Sequence, residues 1–409
     1  MLLYRLLLSL FAAVTLTKAL RHGGLASARA RLGVGSARGG THIWLHGASN
    51  GELASVRPLL EKLIEARPDL AWLITANTES GVALVDGWRL PRVSALLAPL
   101  DLGRPTRRLM RDWQVCAHIA LEAELWPNRF RLCPGPVLLL GARMSAGTAR
   151  SWARLSGLAR RILSRVSFAS AQDAGSAERL QQLGLPMQAR GPVIDLKAFY
   201  TPPVVPPDAE LDTAFDRGST WLAASTHEGD ETVVLAAHRT CLEQTPGLRL
   251  ILAPRHPRRG NEIQQEAAAL GLSVARRSLG DAPGTAQVYL ADTMGEMPLW
   301  YARAGRVFIG GTLSDRGGHT PYEPAAYGAA LLHGPDIRNF AAAFGRLKEN
   351  QSAVEIRDAQ GLATGLQTLA SPEAQLTAGM AARTALQQDA DIDALAELVL
   401  KHLPPLRQT

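Results

Sequence analysis

Apolar residues fall in short runs along this chain, and nearly every run gives way to a stretch with helical spacing. THIWLH (41–46) leads into ELASVRPLLEKLIEARP (52–68), whose apolar positions recur every three or four residues. The same alternation continues through AWLITANT and ESGVALVDGW, SALLAPLDL and RPTRRLMRDW, VCAHIALEAELWP and PNRFRLC, PVLLLGARMS and a helical stretch from Trp152, then VSFASAQD and AGSAERLQQLG. Short apolar strands alternating with helices predict a parallel sheet covered on both faces. FYTPPVVPPDAELD (199–212) interrupts the rhythm and reads as an extended, Pro-rich linker. Beyond it the pattern restarts with TWLAAS, LRLILAP, AQVYLAD, RVFIGG and AALLHG, each followed by a helical or Gly-rich stretch. The expectation is two Rossmann-like, doubly wound α/β domains facing across a cleft, at 23–200 and 213–385, joined by a linker at 201–212. An amphipathic helix in DIDALAELVLKHL then closes the chain within 386–409.

Composition changes this picture little. The 409 residues, 46% hydrophobic and 20% charged, suit two globular domains. Three widely spaced cysteines, Cys116, Cys133 and Cys241, make no metal pattern and fit a reducing compartment. The net charge of +7 is carried mainly by arginine, since the lysines are only Lys18, Lys62, Lys197, Lys348 and Lys401. That balance favours acidic partners. No nucleic-acid motif or basic-aromatic stripe accompanies it, so no nucleic acid is expected.

The N-terminus does change the picture. LLLSLFAAVTLT is an apolar run lying between Arg5 and Lys18. It is short of the ~20 residues needed to span a bilayer. With Arg21, Arg29 and Arg31 following, residues 1–22 read as an anchor segment in the membrane interface, its cations facing anionic lipids. A cleaved signal or a buried helix is the alternative.

The uncommon polar residues follow strands, where open α/β sheets bind ligands. In the first half these are Glu52 in HGASNGE, and Glu122 and Glu124 in LEAELWPN. In the second they are Ser225, Thr226 and His227, then Pro254, Arg255 and His256, then Met294, Gly295 and Glu296 in DTMGE, and the Gly-rich GGTLSDRGGHTPYE. Glu52 and Glu296 also fit helix N-termini, where the macrodipole favours an acid. Glycines at 310, 311, 317 and 318 let backbone N–H groups approach a phosphate, and Arg255 can clamp one. Glu323 can accept ribose hydroxyls. The site reads as a nucleotide-sugar site without a Walker lysine or an obvious metal cluster, with no DxD pair in a suitable loop, and no metal or other cofactor is expected. A carboxylate at 52 facing it could take a proton from an acceptor hydroxyl.

These blocks resemble a known family, the 3-deoxy-D-manno-octulosonic acid (Kdo) transferases of lipopolysaccharide synthesis, over nearly the whole chain. HGASNGE matches the family's HxxSxGE, and EAELWPN its ETELWPN. Further matches are STHEGDE, PRHPRR, DTMGEM and the GGT…GGHTPYEP run. The resemblance implies a GT-B fold and inverting transfer of Kdo from CMP-Kdo to a lipid A precursor. It implies Glu52 as general base and Glu124 as a carboxylate assisting the transition state. Ser225, Thr226, Pro254, Arg255, Met294, Gly295, Glu296, Gly311, Thr320, Pro321, Tyr322 and Glu323 would hold the CMP-sugar. It also implies the cytoplasmic face of the inner membrane, with the N-terminal segment as anchor. Departures are Ile194 where the family has a lysine, Thr320 for the asparagine of GGHN, and Asn50 before Gly51. Lys197, three residues past Ile194, is expected to point elsewhere unless the loop is rebuilt. Two other readings stand beside this one. One is a GT-B enzyme with another donor or acceptor, such as a nucleotide-sugar epimerase. The other is a catalytically silent relative.

Overall fold

The computed structural model describes residues 2–35, 39–387 and 391–405; the side chains of 2–11 and 22, Arg5 among them, lie outside the described set. The chain divides into two compact units. One is Met1–Phe199 with Asp389–Thr409, the other Tyr200–Gln388. The division thus falls at the start of the Pro-rich stretch.

The first unit carries a seven-stranded parallel sheet. Its strands are β1 (His42–His46), β2 (Ala71–Ala76), β3 (Val93–Leu97), β4 (Val115–Leu121), β5 (Val137–Ala142), β6 (Val166–Ala171) and β7 (Arg190–Val193), in the order β3-β2-β1-β4-β5-β6-β7. The central strands are buried along their length, which is why they read as unbroken apolar runs. Four helices precede or interleave the early strands: α1 (Leu2–Arg31), α2 (Asn50–Ala66), α3 (Glu79–Gly87) and α4 (Gly103–Asp112). On α2, Leu53, Val56, Leu59, Leu60, Leu63 and Ile64 are buried against the sheet, each contributing about 1.5–3 kcal/mol. The helix Ile392–His402 packs on the same core through Leu395 and Val399, and Lys62 bonds Asp393 at 2.6 Å. Residues 388–390 and 406–409 of the expected C-terminal segment lie outside the described residues.

The anchor segment belongs to α1, which kinks at Gly24 (φ 64°). Past the kink, α1 is tied to the unit: Ser27 Oγ donates to Glu79 at 2.6 Å, and Arg31 donates to the carbonyls of Asn77 and Ala98. Among the described residues no helix is long and apolar enough to cross a membrane.

The second unit repeats the plan. Its strands are β8 (Thr220–Thr226), β9 (Arg249–Pro254), β10 (Val274–Arg276), β11 (Val288–Leu290), β12 (Arg306–Ile309), β13 (Ala330–His333) and β14 (Ala353–Glu355), in the order β10-β11-β9-β8-β12-β13-β14, again parallel. In each sheet the winding reverses once, between β1 and β4 and between β8 and β12. Loops leaving such paired strands open a crevice at their carboxyl ends.

Candidate active site

In the first unit, the loops after β1 and β4 carry the two acidic motifs, so HGASNGE and EAELWPN meet at the reversal point. Glu52 occupies the third position of α2, three residues after its cap Ser49. Its carboxylate accepts from the Ala48 N–H at 2.8 Å and the Ser49 hydroxyl at 3.0 Å, while Ser49 Oγ accepts from the Glu52 N–H. This is a capping-box arrangement, and it accounts for a carboxylate at this place. It does not account for the acidity. Burial first, and then the nearby Glu122 carboxylate, push the Glu52 pKa up to about 7, against the hydrogen bonds that lower it.

Glu124 is set the other way. Burial alone would raise its pKa, but hydrogen bonds from His46 (3.0 Å) and Trp126 (2.5 Å) and the Arg129 charge hold it below the usual carboxylate range. His46 is fully buried, and its pKa falls to about 4 through burial and the Arg129 charge. The neutral ring has one N–H to give: Nε2 lies 3.0 Å from Glu124, while Nδ1 faces both Thr75 Oγ1 (2.8 Å), which accepts from Trp44 Nε1–H, and the Thr75 carbonyl (3.0 Å). Arg129 lies between the rings of Trp44 and Trp126, at 5.2 and 5.1 Å, and Asp101 accepts from the Asn128 and Arg129 N–H groups. Two neighbouring acids are thus driven apart, one poised to exchange a proton near neutrality and one held ionised.

Glu122 stands in the left-handed region (φ 46°), uncommon for a residue with a side chain. It forms an ion pair with Lys197. This corrects the expectation that Lys197 points elsewhere. After β7 the chain tightens into a 3₁₀ turn, Leu196–Phe199, with Asp195 accepting from the Lys197 N–H at 3.0 Å. Leu196 seats this turn against Gly141 (φ 58°), where an added Cβ would stand 3.1 Å from the leucine side chain. Ile194, at the family's lysine position, is buried in the apolar core. Burial of Lys197 works to lower its pKa, but Glu122, Asp195 and Glu52 outweigh it and hold the ammonium charged.

In the second unit, Ser225 and Thr226 end β8, Pro254 ends β9 with Arg255 next, and Met294–Glu296 and Gly311–Glu323 follow β11 and β12. Those four strands are consecutive across the sheet, so the motifs share one edge. Asp230, fully buried, ties the reversal together by accepting from the N–H groups of His227 (2.9 Å) and Gly311 (2.6 Å). Ser225, like Glu122, has a positive φ of 56°, and Gly317 and Gly318 turn at 79° and 75°. The His227 and His319 Nε2 atoms lie 2.9 Å apart, so one donates to the other. A cavity of about 480 Å³ beside them is lined by His227, His256, Arg258, Arg259 and Arg316, with Glu228 and Glu262 also present. Its cationic lining suits an anion.

The candidate side chains here differ in what they already hold. Thr226 is buried and donates to Glu231, Thr320 Oγ1 accepts from the Tyr322 N–H, and the Tyr322 hydroxyl accepts from Arg346. Glu296 is paired with Arg277 at 2.7 Å, and that bond chiefly keeps its pKa low. Arg255 is exposed and makes no ion pair among the described residues. Sequence reasoning missed His46, Arg129, Asp230 and Arg277. The first three stand inside or directly beside the acidic and STHEGDE motifs, which was the available signal; Arg277 lies outside every motif. Among the described residues no group of three or more His, Cys, Asp or Glu side chains is placed to hold a metal ion.

With this geometry in view, the similarity to known proteins can be read. The family described as 3-deoxy-D-manno-octulosonic-acid transferase (kdotransferase) matches residues 26–199. The 3-deoxy-D-manno-octulosonic acid transferase of Haemophilus influenzae is 32% identical over 326 residues, covering 77% of this chain and 75% of that protein. That of Bordetella pertussis is 32% identical over 369 residues, covering 83% and 82%. The chain belongs to the Kdo transferase family. A Kdo transferase is a glycosyltransferase, and the solved structures agree in fold. UDP-GlcNAc 2-epimerase from Neisseria meningitidis aligns with a TM-score of 0.59 at 12% identity, over 88% of this chain and all of that one. A glycosyltransferase from Rickettsia africae aligns at 0.56 and 10%, over 88% and 97%. At such identity these show the GT-B fold alone.

Proposed function

We propose that this Kdo transferase moves Kdo from CMP-Kdo to a hydroxyl of a lipid A precursor (lipid IVA) at the cytoplasmic face of the inner membrane, as a step of lipopolysaccharide synthesis. The first unit is the acceptor-binding unit and supplies the base. The second holds the CMP-sugar. Glu52 takes the acceptor O–H proton as that oxygen attacks the anomeric carbon. The bond from that carbon to the CMP phosphate oxygen breaks, and CMP leaves with the electron pair on its phosphate. The sugar is inverted.

The observation that carries this reading is the opposed acidity of Glu52 and Glu124 at one reversal point. A base needs a pKa near the working pH, and Glu52 is at about 7. Glu124, kept ionised, opposes the positive charge that develops on the sugar ring. Arg255, the Gly311–Gly318 backbone and the Met294–Glu296 turn hold the CMP phosphate and nucleoside. The ammonium of Lys197 beside Glu122 supports this reading over that of a silent relative.

The test is a transfer assay. Detergent-purified protein receives lipid A precursor and CMP-Kdo generated in situ, and the lipid is weighed by mass spectrometry. Gain of one or more Kdo masses supports the reading. Folded protein that binds CMP but adds no mass points to another sugar. Arg255→Ala should weaken CMP binding by about 10- to 100-fold, the usual worth of a charge-assisted phosphate contact. It should leave the melting temperature unchanged, because the side chain is exposed. Titration calorimetry with CMP measures it, and unchanged affinity removes Arg255 from the donor site.

A further inference from the structure

A second basic feature lies in the first unit, on α4. Arg104, Arg107, Arg108 and Arg111 stand at intervals of three, one and three residues, which places them on one face of the helix. All four are exposed, while Pro105, Thr106, Leu109 and Met110 are buried on the other face. Like charges so spaced repel one another. Asp112 alone answers them, 3.4 Å from Arg108 and 2.8 Å from Arg111; Arg104 and Arg107 make no ion pair among the described residues. The stripe lines a groove of about 690 Å³ whose other walls include Leu32 and Leu102.

Leu32 follows directly on α1, so the groove opens at the end of that helix. The Leu100 N–H donates to the Arg31 carbonyl at 2.9 Å, and Gly33 (φ 71°) lies so close to the Pro105 carbonyl that an added Cβ would stand 2.3 Å from it. The end of α1 and the first turn of α4 are therefore fixed together. On the way to this junction α1 exposes Leu20 and Leu25, 48% and 76% accessible, alongside Lys18, Arg21 and Arg29, and Leu32 just past its end is 41% accessible. Unpaired guanidinium groups beside exposed leucines match a ligand that is anionic at one end and apolar at the other.

We propose that the α4 arginine groove is a binding site for the phosphate head group of an anionic bilayer phospholipid, holding the first unit on the membrane beside α1. This rests on the membrane reading given above and adds a place and a chemistry to it. Guanidinium groups take phosphate bidentately, and Leu32 and Leu102 accept the start of the acyl chain. Apolar contact by α1 supplies insertion into any bilayer; the groove supplies preference for anionic ones.

Flotation of the full chain with vesicles separates these terms. One set is phosphatidylcholine alone, the other phosphatidylcholine and phosphatidylglycerol at about 3:1. The wild type is expected to bind the mixed vesicles more tightly. A variant carrying Arg104→Gln, Arg107→Gln and Arg108→Gln should lose most of that preference, about fivefold per arginine and roughly a hundredfold together, while binding to neutral vesicles stays the same. Circular dichroism should show an unchanged fold, since these side chains are exposed. If the variant keeps its preference for mixed vesicles, the groove proposal fails and the membrane reading stands. If the wild type binds neither vesicle, both fail. If titration calorimetry shows inorganic phosphate binding that the triple exchange abolishes while the vesicle preference stays the same, the groove holds a soluble anion, and the lipid assignment is overturned.

Discussion

Glu52→Gln should lower kcat by about a thousandfold or more, leave CMP binding unchanged, and make the protein more stable at pH 8. The kinetic part follows from the base: glutamine keeps the size and, through its amide oxygen, the bond from the Ala48 N–H, but cannot take a proton. For the wild type, kcat/KM should rise with pH through a midpoint near 7, the Glu52 pKa, and that limb should vanish in the variant. The stability part follows from the direction of the shift. A carboxyl whose pKa is higher folded than unfolded binds its proton more tightly in the folded state. The wild type therefore loses stability as pH rises from the unfolded carboxyl value of 4.5 to about 7. Glutamine never ionises, so the variant should match the wild type below that window and exceed it above, by about 1–3 kcal/mol at most. Glutamine also fits the capping box, so the helix start is kept. Thermal melts at pH 5 and pH 8 measure this. A residue that only caps the helix would give a different pair of results, with activity retained and stability close to that of the wild type at both pH values.

Much of this site can be read in the letters of the chain, and what cannot has a physical reason. Strands buried on both faces announce themselves: HIWLH and RLILAP are apolar because nothing else fits between two layers of helices. The edge strands β7 and β14, RGPV and AVE, were not anticipated. They pair on one side only and are half exposed, so no apolar run marks them. Missing β7 is also why Lys197 was misplaced. The direction of that side chain depends on a 3₁₀ turn seated against Gly141 of β5, about fifty positions earlier, and no local spacing encodes it. Glu52 and Glu124 were legible as unusual acids after strands. Their opposed acidity was not, because it comes from burial and from two pairs, Glu122 beside Glu52 and His46 beside Glu124, that only the adjacency of β1 and β4 brings together.

Lys197→Met should be the most damaging change that touches no proposed base. Glu122 then remains largely buried with no cation, and breaking such a pair costs about 2–4 kcal/mol. The effect on chemistry runs through charge. Glu122 already raises the Glu52 pKa, and Lys197 is the cation that opposes it. Without the ammonium, the Glu52 pKa should climb by about one to two units, the scale of one unit charge at close range in a partly solvated interior. At pH 7 the ionised fraction, half in the wild type, and with it kcat/KM, should fall by about 5- to 50-fold, and the midpoint of the pH profile should move up by the same one to two units. Activity should therefore return in part at pH 9, which a merely unfolded protein could not do. Glu122→Gln should move the midpoint the other way, below that of the wild type. Combining the two exchanges should restore most of the lost stability, because the buried charge and its partner leave together. Denaturant melts and pH–rate profiles of the three variants close the cycle. A Lys197→Met profile with an unmoved midpoint would make the ion pair structural only and detach Lys197 from the proton transfer.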